Sequence, residues 1–189
     1  MQIFSNKTDA RKFFLQKRKE LTQEQISLFS EQLSQQLISL EQFKQADTVL
    51  FYYPTRNEPE LFLAINAAFR AGKSVAFPIS LTDTLTLDFR VVTDLSELEV
   101  GAYGIREPKY DAPKASCTEK TLCVVPALAF DENALRLGYG KGYYDRFLAD
   151  FKGTSAGLFY EGFFCKSLPS LNTDVAVDIL ITTTGVIER

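Results

Sequence analysis

Histidine is absent from the 189 residues. That removes triads with a histidine base and metal sites built on imidazole, so any chemistry falls to carboxylates, lysines, arginines, tyrosines or a cofactor. Cysteine is scarce. Cys117, Cys123 and Cys165 are odd in number, widely spaced and form no C-x-x-C pair; this indicates neither a disulfide framework nor a zinc site and fits a reducing cytosol. No apolar run approaches the length of a membrane span, and the start of the chain is broken by charges where a signal peptide needs an unbroken apolar stretch. The expectation is a cytoplasmic protein with no membrane partner. A large positive field is also missing, since the net charge is -3 and the pI near 5.1; no nucleic-acid partner is expected.

What the chain does have is material for a core. Its 46% apolar content is enough to bury a sizeable interior without disulfides or metal, and its length is that of one domain, taken here as residues 1–189. Residues 7–20 read as a basic helix, with Phe13 and Phe14 among the charges. Thr22 and Gln25 then offer a capping box for a second helix. In that helix Ile26, Phe29, Leu33, Leu37 and Leu40 recur at spacings of three and four, which predicts one buried stripe. Residues 48–53 (TVLFYY) predict a strand, 59–71 a helix stopped by Gly72, and 74–78 a second strand, together one parallel crossover. Residues 85–92 alternate as a half-exposed strand does, and 101–116 read as loop. A second unit follows, with strands over 121–126, 155–159 and 177–182 and a helix over 143–151. The alternation predicts a single-domain α/β fold, a mostly parallel sheet with helices on both faces in three layers.

The stretch RLGYGKGYYDR, Arg136 to Arg146, lies between a predicted strand and a predicted helix. Glycines 138, 140 and 142 alternate with Tyr139, Lys141 and Tyr143, so the backbone can approach a ligand closely and turn its N–H groups toward it. Lys141 adds a positive charge among those amides, and the start of the next helix adds its dipole. This is the plan of a phosphate cradle. It follows neither the G-x-x-x-x-G-K-[ST] nor the G-x-G-x-x-G spacing. By glycine spacing alone, a tight strand-to-helix turn with aromatic packing accounts for it as well.

The longer run VVPALAFDENALRLGYGKGYYDRFL, residues 124–148, closely resembles the long motif of the 5-formyltetrahydrofolate cyclo-ligase family, also called methenyltetrahydrofolate synthetases. GAYGIREP at 101–108, YYPTRNEPE with Tyr53 and Glu58, Lys7 and Arg11 at the start, and VDILIT at 177–182 extend the resemblance over nearly the whole chain. It implies an ATP-dependent carbon–nitrogen ligase of one-carbon metabolism acting on 5-formyltetrahydrofolate, with Mg²⁺ as cofactor and a monomeric state. Under that resemblance Lys7, Arg11 and the loop Arg136, Leu137, Gly138, Tyr139, Gly140, Lys141, Gly142, Tyr143 and Tyr144 match ATP contacts. Tyr53, Glu58 and positions 139–143 match folate contacts, Lys141 and Arg136 match charge-neutralising catalytic groups, and Asp145 and Asp178 match magnesium ligands. Glu58 has the acceptor geometry to receive pterin N–H groups, and Tyr53 can offer a flat aromatic wall.

Each residue also has a plainer reading: a solvated basic helix for Lys7 and Arg11, a first-turn carboxylate for Asp145, a strand-end surface residue for Asp178, core packing for Tyr53. The sequence departs from the family pattern at Ala127 and Ala134, where glycine is usual, and at Phe163 and Thr173, where glutamine and histidine are common. Two other functions keep the loop: an ATP-dependent kinase or ligase for another small heteroaromatic, which would change the pocket around Tyr53 and Glu58, and an ATP- or folate-binding module without turnover.

Overall fold

The computed structural model describes residues 4–188. Residues 1–3 and 189 of the predicted domain span lie outside the described residues.

Two helices open the chain. In α1 (Lys7–Lys19) Asn6 caps the first turn by accepting the Asp9 N–H, while Asp9 near the start and Lys17, Arg18 and Lys19 at the end complement the helix dipole. In α2 (Gln23–Ser39) the predicted capping box is formed by Thr22 and Gln25. Its stripe is buried at Ile26, Leu33 and Leu37, with Leu40 buried at the C-cap; each such side chain contributes about 1.5–3 kcal/mol by leaving water. Phe29 is only half-buried.

After the short α3 (Glu41–Gln45) come β1 (Thr48–Leu50), α4 (Phe62–Arg70), β2 (Ser74–Leu81) and β3 (Thr86–Val92). A small hairpin, β4 (Glu99–Val100) and β5 (Arg106–Glu107), interrupts what the sequence predicts as one long loop. Then follow β6 (Thr121–Val125), β7 (Ala129–Asp131), β8 (Arg136–Leu137), α5 (Tyr143–Ala149), β9 (Thr154–Leu158), β10 (Phe164–Cys165), β11 (Ile179–Ile181) and β12 (Val186–Glu188).

The main sheet has seven strands in the order β12-β11-β9-β6-β1-β2-β3. Its five inner strands run parallel, and both edges, β3 and β12, are antiparallel. Inner strands such as β6 are buried along their whole length, as sheets covered on both faces require. The crossover β1-α4-β2 moves one way along the sheet and β6-α5-β9 the other. Right-handed connections therefore set α4 and α5 on opposite faces, the predicted three layers. Between β1 and β6 the strand order reverses, and the crevice beyond the carboxyl ends there is where open α/β sheets place ligands.

Further elements depart from expectation. The chain does not pass straight from β6 into the glycine loop: β7 and β8 form a hairpin that joins β10 in a separate three-stranded sheet. At its turn Ala134 holds φ +56°, fully buried. That left-handed conformation disfavours any side chain, so glycine would meet the turn with less strain than alanine. Strand β12 has no counterpart in the predicted set, because three residues carry too little periodicity to read. No helix among the described residues is long and apolar enough to cross a membrane.

Candidate active site

A cleft of about 860 Å³ opens beyond the carboxyl ends of β1 and β6, lined there by Tyr52, Tyr53 and Pro126. Basic side chains outnumber acidic ones on its wall: Lys7, Arg11, Arg56, Arg106, Arg136, Lys141 and Arg146 against Glu58, Glu107, Asp145 and Asp174. In a chain that is acidic overall, this gathers positive charge at one place, which suits an anionic ligand.

One wall is the glycine loop. Gly140 (φ +101°) and Gly142 (φ +71°) adopt backbone conformations closed to most side chains. A Cβ on Gly140 would sit 3.2 Å from the Arg11 guanidinium carbon, so glycine also lets α1 close on the loop. Arg11 donates from Nε to the Gly138 carbonyl at 2.9 Å. Lys7, one turn earlier, reaches Asp174 at 2.6 Å. The basic pair of α1 and the loop thus face the same space although 125 or more residues separate them. No side chain caps the first turn of α5 behind Gly142. The Lys141 side chain is exposed and has no hydrogen-bond or ion-pair partner among the described residues, which leaves its charge available, while its backbone carbonyl accepts from Arg146.

Arg136 differs. It is buried, donating to the Asp145 carboxylate at 2.7 Å and to the Val175 carbonyl at 2.9 Å. Burial draws its pKa down and the Asp145 charge opposes that. It fixes α5 against the segment around Val175, and its charge is already neutralised.

The cleft is also lined by Glu58, buried at 3% exposure. Its Oε1 accepts the Tyr139 hydroxyl at 2.9 Å and its Oε2 the Thr55 N–H at 3.0 Å. Burial raises its pKa, while Arg18, Thr55 and Tyr139 pull the other way. Arg56 and Asn57 beside it both hold positive φ, +50° and +59°, strain that tightens the turn and presents the Arg56 guanidinium over the Tyr139 ring at 5.0 Å. At the mouth the Tyr103 and Tyr143 hydroxyls meet at 3.0 Å, joining the hairpin loop to the glycine loop.

Of the residues expected from sequence, Lys7, Arg11, Tyr53, Glu58, Arg136, Gly138, Tyr139, Gly140, Lys141, Gly142, Tyr143, Tyr144 and Asp145 all line this cleft. Leu137 does not: its side chain is buried in the core, because alternation in β8 turns it away from its cleft-lining neighbours Arg136 and Gly138. Asp178 does not either. It is exposed at the start of β11, where one oxygen accepts both the backbone N–H and the hydroxyl of Ser155 at 2.8 and 2.6 Å. The expected pairing of Asp145 with Asp178 around one ion is therefore not formed; among the described residues no cluster of three metal-ligating side chains occurs.

A family model describing the 5-formyltetrahydrofolate cyclo-ligase family matches residues 3–183. The chain belongs to this family. It is similar to the 5-formyltetrahydrofolate cyclo-ligase of Escherichia coli (strain K12), 28% identical over 181 residues that cover 92% of this chain and 98% of the relative. The NMR structure of Aquifex aeolicus 5,10-methenyltetrahydrofolate synthetase superposes with a TM-score of 0.82 at 32% identity, covering 96% of this chain and 92% of that one. A 5,10-methenyltetrahydrofolate synthetase from Mycoplasma pneumoniae, 23% identical with a TM-score of 0.73 over 93% and 97% of the two chains, shares the fold.

Sequence reasoning missed several cleft residues of this cyclo-ligase family member. Tyr103, Arg106 and Glu107 sit in the GAYGIREP segment, whose family resemblance is a signal for them. Arg56 likewise sits in the YYPTRNEPE segment beside Glu58, whereas Asp174 carries no signal readable from the chain alone.

Proposed function

We propose that the cleft catalyses the ATP-dependent cyclisation of 5-formyltetrahydrofolate to 5,10-methenyltetrahydrofolate with release of ADP and phosphate, by one chain acting as a monomer in the cytoplasm. The observation that carries this is the 2.9 Å hydrogen bond from Tyr139 to Glu58. It ties the loop suited to phosphate to the buried carboxylate suited to the pterin, so both reactants meet on one loop, as direct phosphoryl transfer requires.

The formyl group on nitrogen 5 is amide-like and a poor electrophile. Its oxygen attacks the γ-phosphate, nitrogen 10 closes the ring on the activated carbon and gives up its proton, and cleavage of the carbon–oxygen bond releases phosphate. No protein nucleophile is needed, so the lack of histidine is no obstacle. The protein aligns oxygen with phosphorus and neutralises spreading charge. Lys141, unpaired and beside the loop amides, is suited to the transferring phosphoryl group. Arg11 and Lys7 are suited to the remaining phosphates, Lys7 by exchanging Asp174 for a phosphate oxygen. Glu58 accepts pterin N–H groups, and Tyr53 walls the ring. Arg136 acts by holding α5.

Asp145 fits a magnesium site, because Arg136 and Val175 occupy only its Oδ1 and Mg²⁺ at nucleotide sites is held by one or two carboxylates plus substrate phosphates and waters. The ion would screen the β- and γ-phosphate charge. The test is the near-ultraviolet absorbance of the protein mixed with 5-formyltetrahydrofolate, ATP and Mg²⁺. A rise that requires ATP is expected; a flat trace from folded protein refutes the reading.

A further inference from the structure

Arg18 sits at the end of α1 outside the cleft, with 1% of its surface exposed. A buried guanidinium is costly unless it is paired, and an apolar side chain of that volume would fill the same space at less cost. Its surroundings show what it is held for. One terminal nitrogen donates to the Ala127 and Leu128 carbonyls at 2.7 and 3.2 Å. The other lies 3.4 Å from the Tyr139 hydroxyl and 4.0 Å from Glu58 Oε1. The Phe163 ring lies against the guanidinium, 5.4 Å from centroid to carbon. The Arg18 carbonyl accepts from Asn57, which ties the turn carrying Glu58 to the end of α1.

The donors run in one direction: guanidinium N–H to phenol oxygen, phenol O–H to carboxylate. We propose that Arg18 is a positioning residue which, through Tyr139 and its own charge beside the carboxyl, orients the buried Glu58 side chain to accept the N–H groups of the reduced folate. This rests on Glu58 being the folate-binding group proposed above.

The charged and titratable groups facing Glu58 are Arg18 from α1, Arg56 from its own turn, Tyr52 after β1, Tyr139 and Tyr144 from the loop and α5, and Tyr160 after β9. Of these only the arginines are cations. Arg56 is exposed and its field is screened by solvent, whereas Arg18 acts within the low-dielectric interior. Arg18 is the stronger of the two cations that, with the hydrogen bonds from Thr55 and Tyr139, favour the charged form of Glu58 against its burial.

The experiment compares Arg18→Met, Glu58→Gln and the double variant by steady-state kinetics between pH 6 and 9. Arg18→Met is expected to raise the KM for 5-formyltetrahydrofolate about threefold or more near pH 7, because Glu58 loses both its orientation and the buried cation that favours its ionised form. That defect shrinks toward pH 9 as Glu58 ionises, while the KM for ATP stays within about twofold. In the Glu58→Gln background the Arg18 change adds little. If Arg18→Met does not fold, Arg18→Lys replaces it: the shorter donor keeps the charge without the fork, and a partial, pH-dependent folate defect is expected. A defect that is independent of pH, that affects ATP equally, or that persists undiminished without Glu58 overturns the proposal. No folate defect in Glu58→Gln itself overturns the underlying site reading instead.

Discussion

Replacing Lys141 by alanine separates the catalytic charge of the loop from its architecture. Its side chain is exposed and bonds to nothing among the described residues, and the one bond the residue makes, accepting from Arg146 at its backbone carbonyl, survives truncation, so its removal leaves no buried group unsatisfied. Stability is expected to stay within about 0.5 kcal/mol of the parent. Function is another matter, because a hydrogen bond to a charged group is worth about 1.5–3 kcal/mol, which corresponds to a loss of about 10- to 150-fold in kcat/KM for ATP. Arg136→Ala provides the contrast. It breaks a buried ion pair with Asp145 and is expected to destabilise the fold by about 3 kcal/mol. The assay is the initial rate of methenyl product formation against ATP at saturating folate, with urea unfolding of each variant alongside. Wild-type kcat/KM for ATP in Lys141→Ala would refute the cradle, since Lys141 is the cation set among the loop glycines and Arg136 is held by Asp145.

Three further outcomes follow from the same geometry. Asp145→Asn is expected to raise the Mg²⁺ concentration needed for half-maximal rate about tenfold or more, and Asp178→Asn to leave it unchanged; a metal defect in the second variant would return Asp178 to the site. Ala134→Gly should change unfolding free energy by less than about 0.5 kcal/mol, since relief of a left-handed alanine, about 1–2 kcal/mol, is offset by the freer unfolded chain and the lost buried methyl. Ala134→Val should cost more than about 2 kcal/mol, and urea midpoints decide between these and a conformationally tolerant turn. For Glu58 the sign runs with burial: a carboxyl raised in the fold stabilises most below the ordinary glutamate pKa and loses that stability as pH rises through the folded value. The stability of Glu58→Gln relative to wild type should therefore improve as pH rises from 4 toward 8, and an opposite slope would mean that Glu58 is net stabilised as the carboxylate.

Much of the site was legible because it is local. The loop from Arg136 to Asp145 carries glycines, aromatics and charges in consecutive positions, and its conformation is set by neighbours in sequence. The helices were legible for the same reason, from a capping box and a three-to-four spacing that the chain displays directly. The sequence could say that Asp145 and Asp178 are both carboxylates near element ends. It could not say that β11 would hand one of them to Ser155.

That division has a physical cause. Composition and local pattern determined the fold class, the phosphate-suited loop and the exclusion of histidine chemistry, since each depends on residue type and short-range spacing. Tertiary structure alone decided which charges stay free. Lys141 and Arg136 look equivalent along the chain, yet one ends exposed and unpaired and the other buried against Asp145. Arg18 is one basic residue among several in α1, and only the packing of Phe163, Tyr139 and the turn at Asn57 makes it the partner of Glu58. Burial and pairing are properties of distances between residues far apart in sequence, and those distances exist only once the sheet has formed.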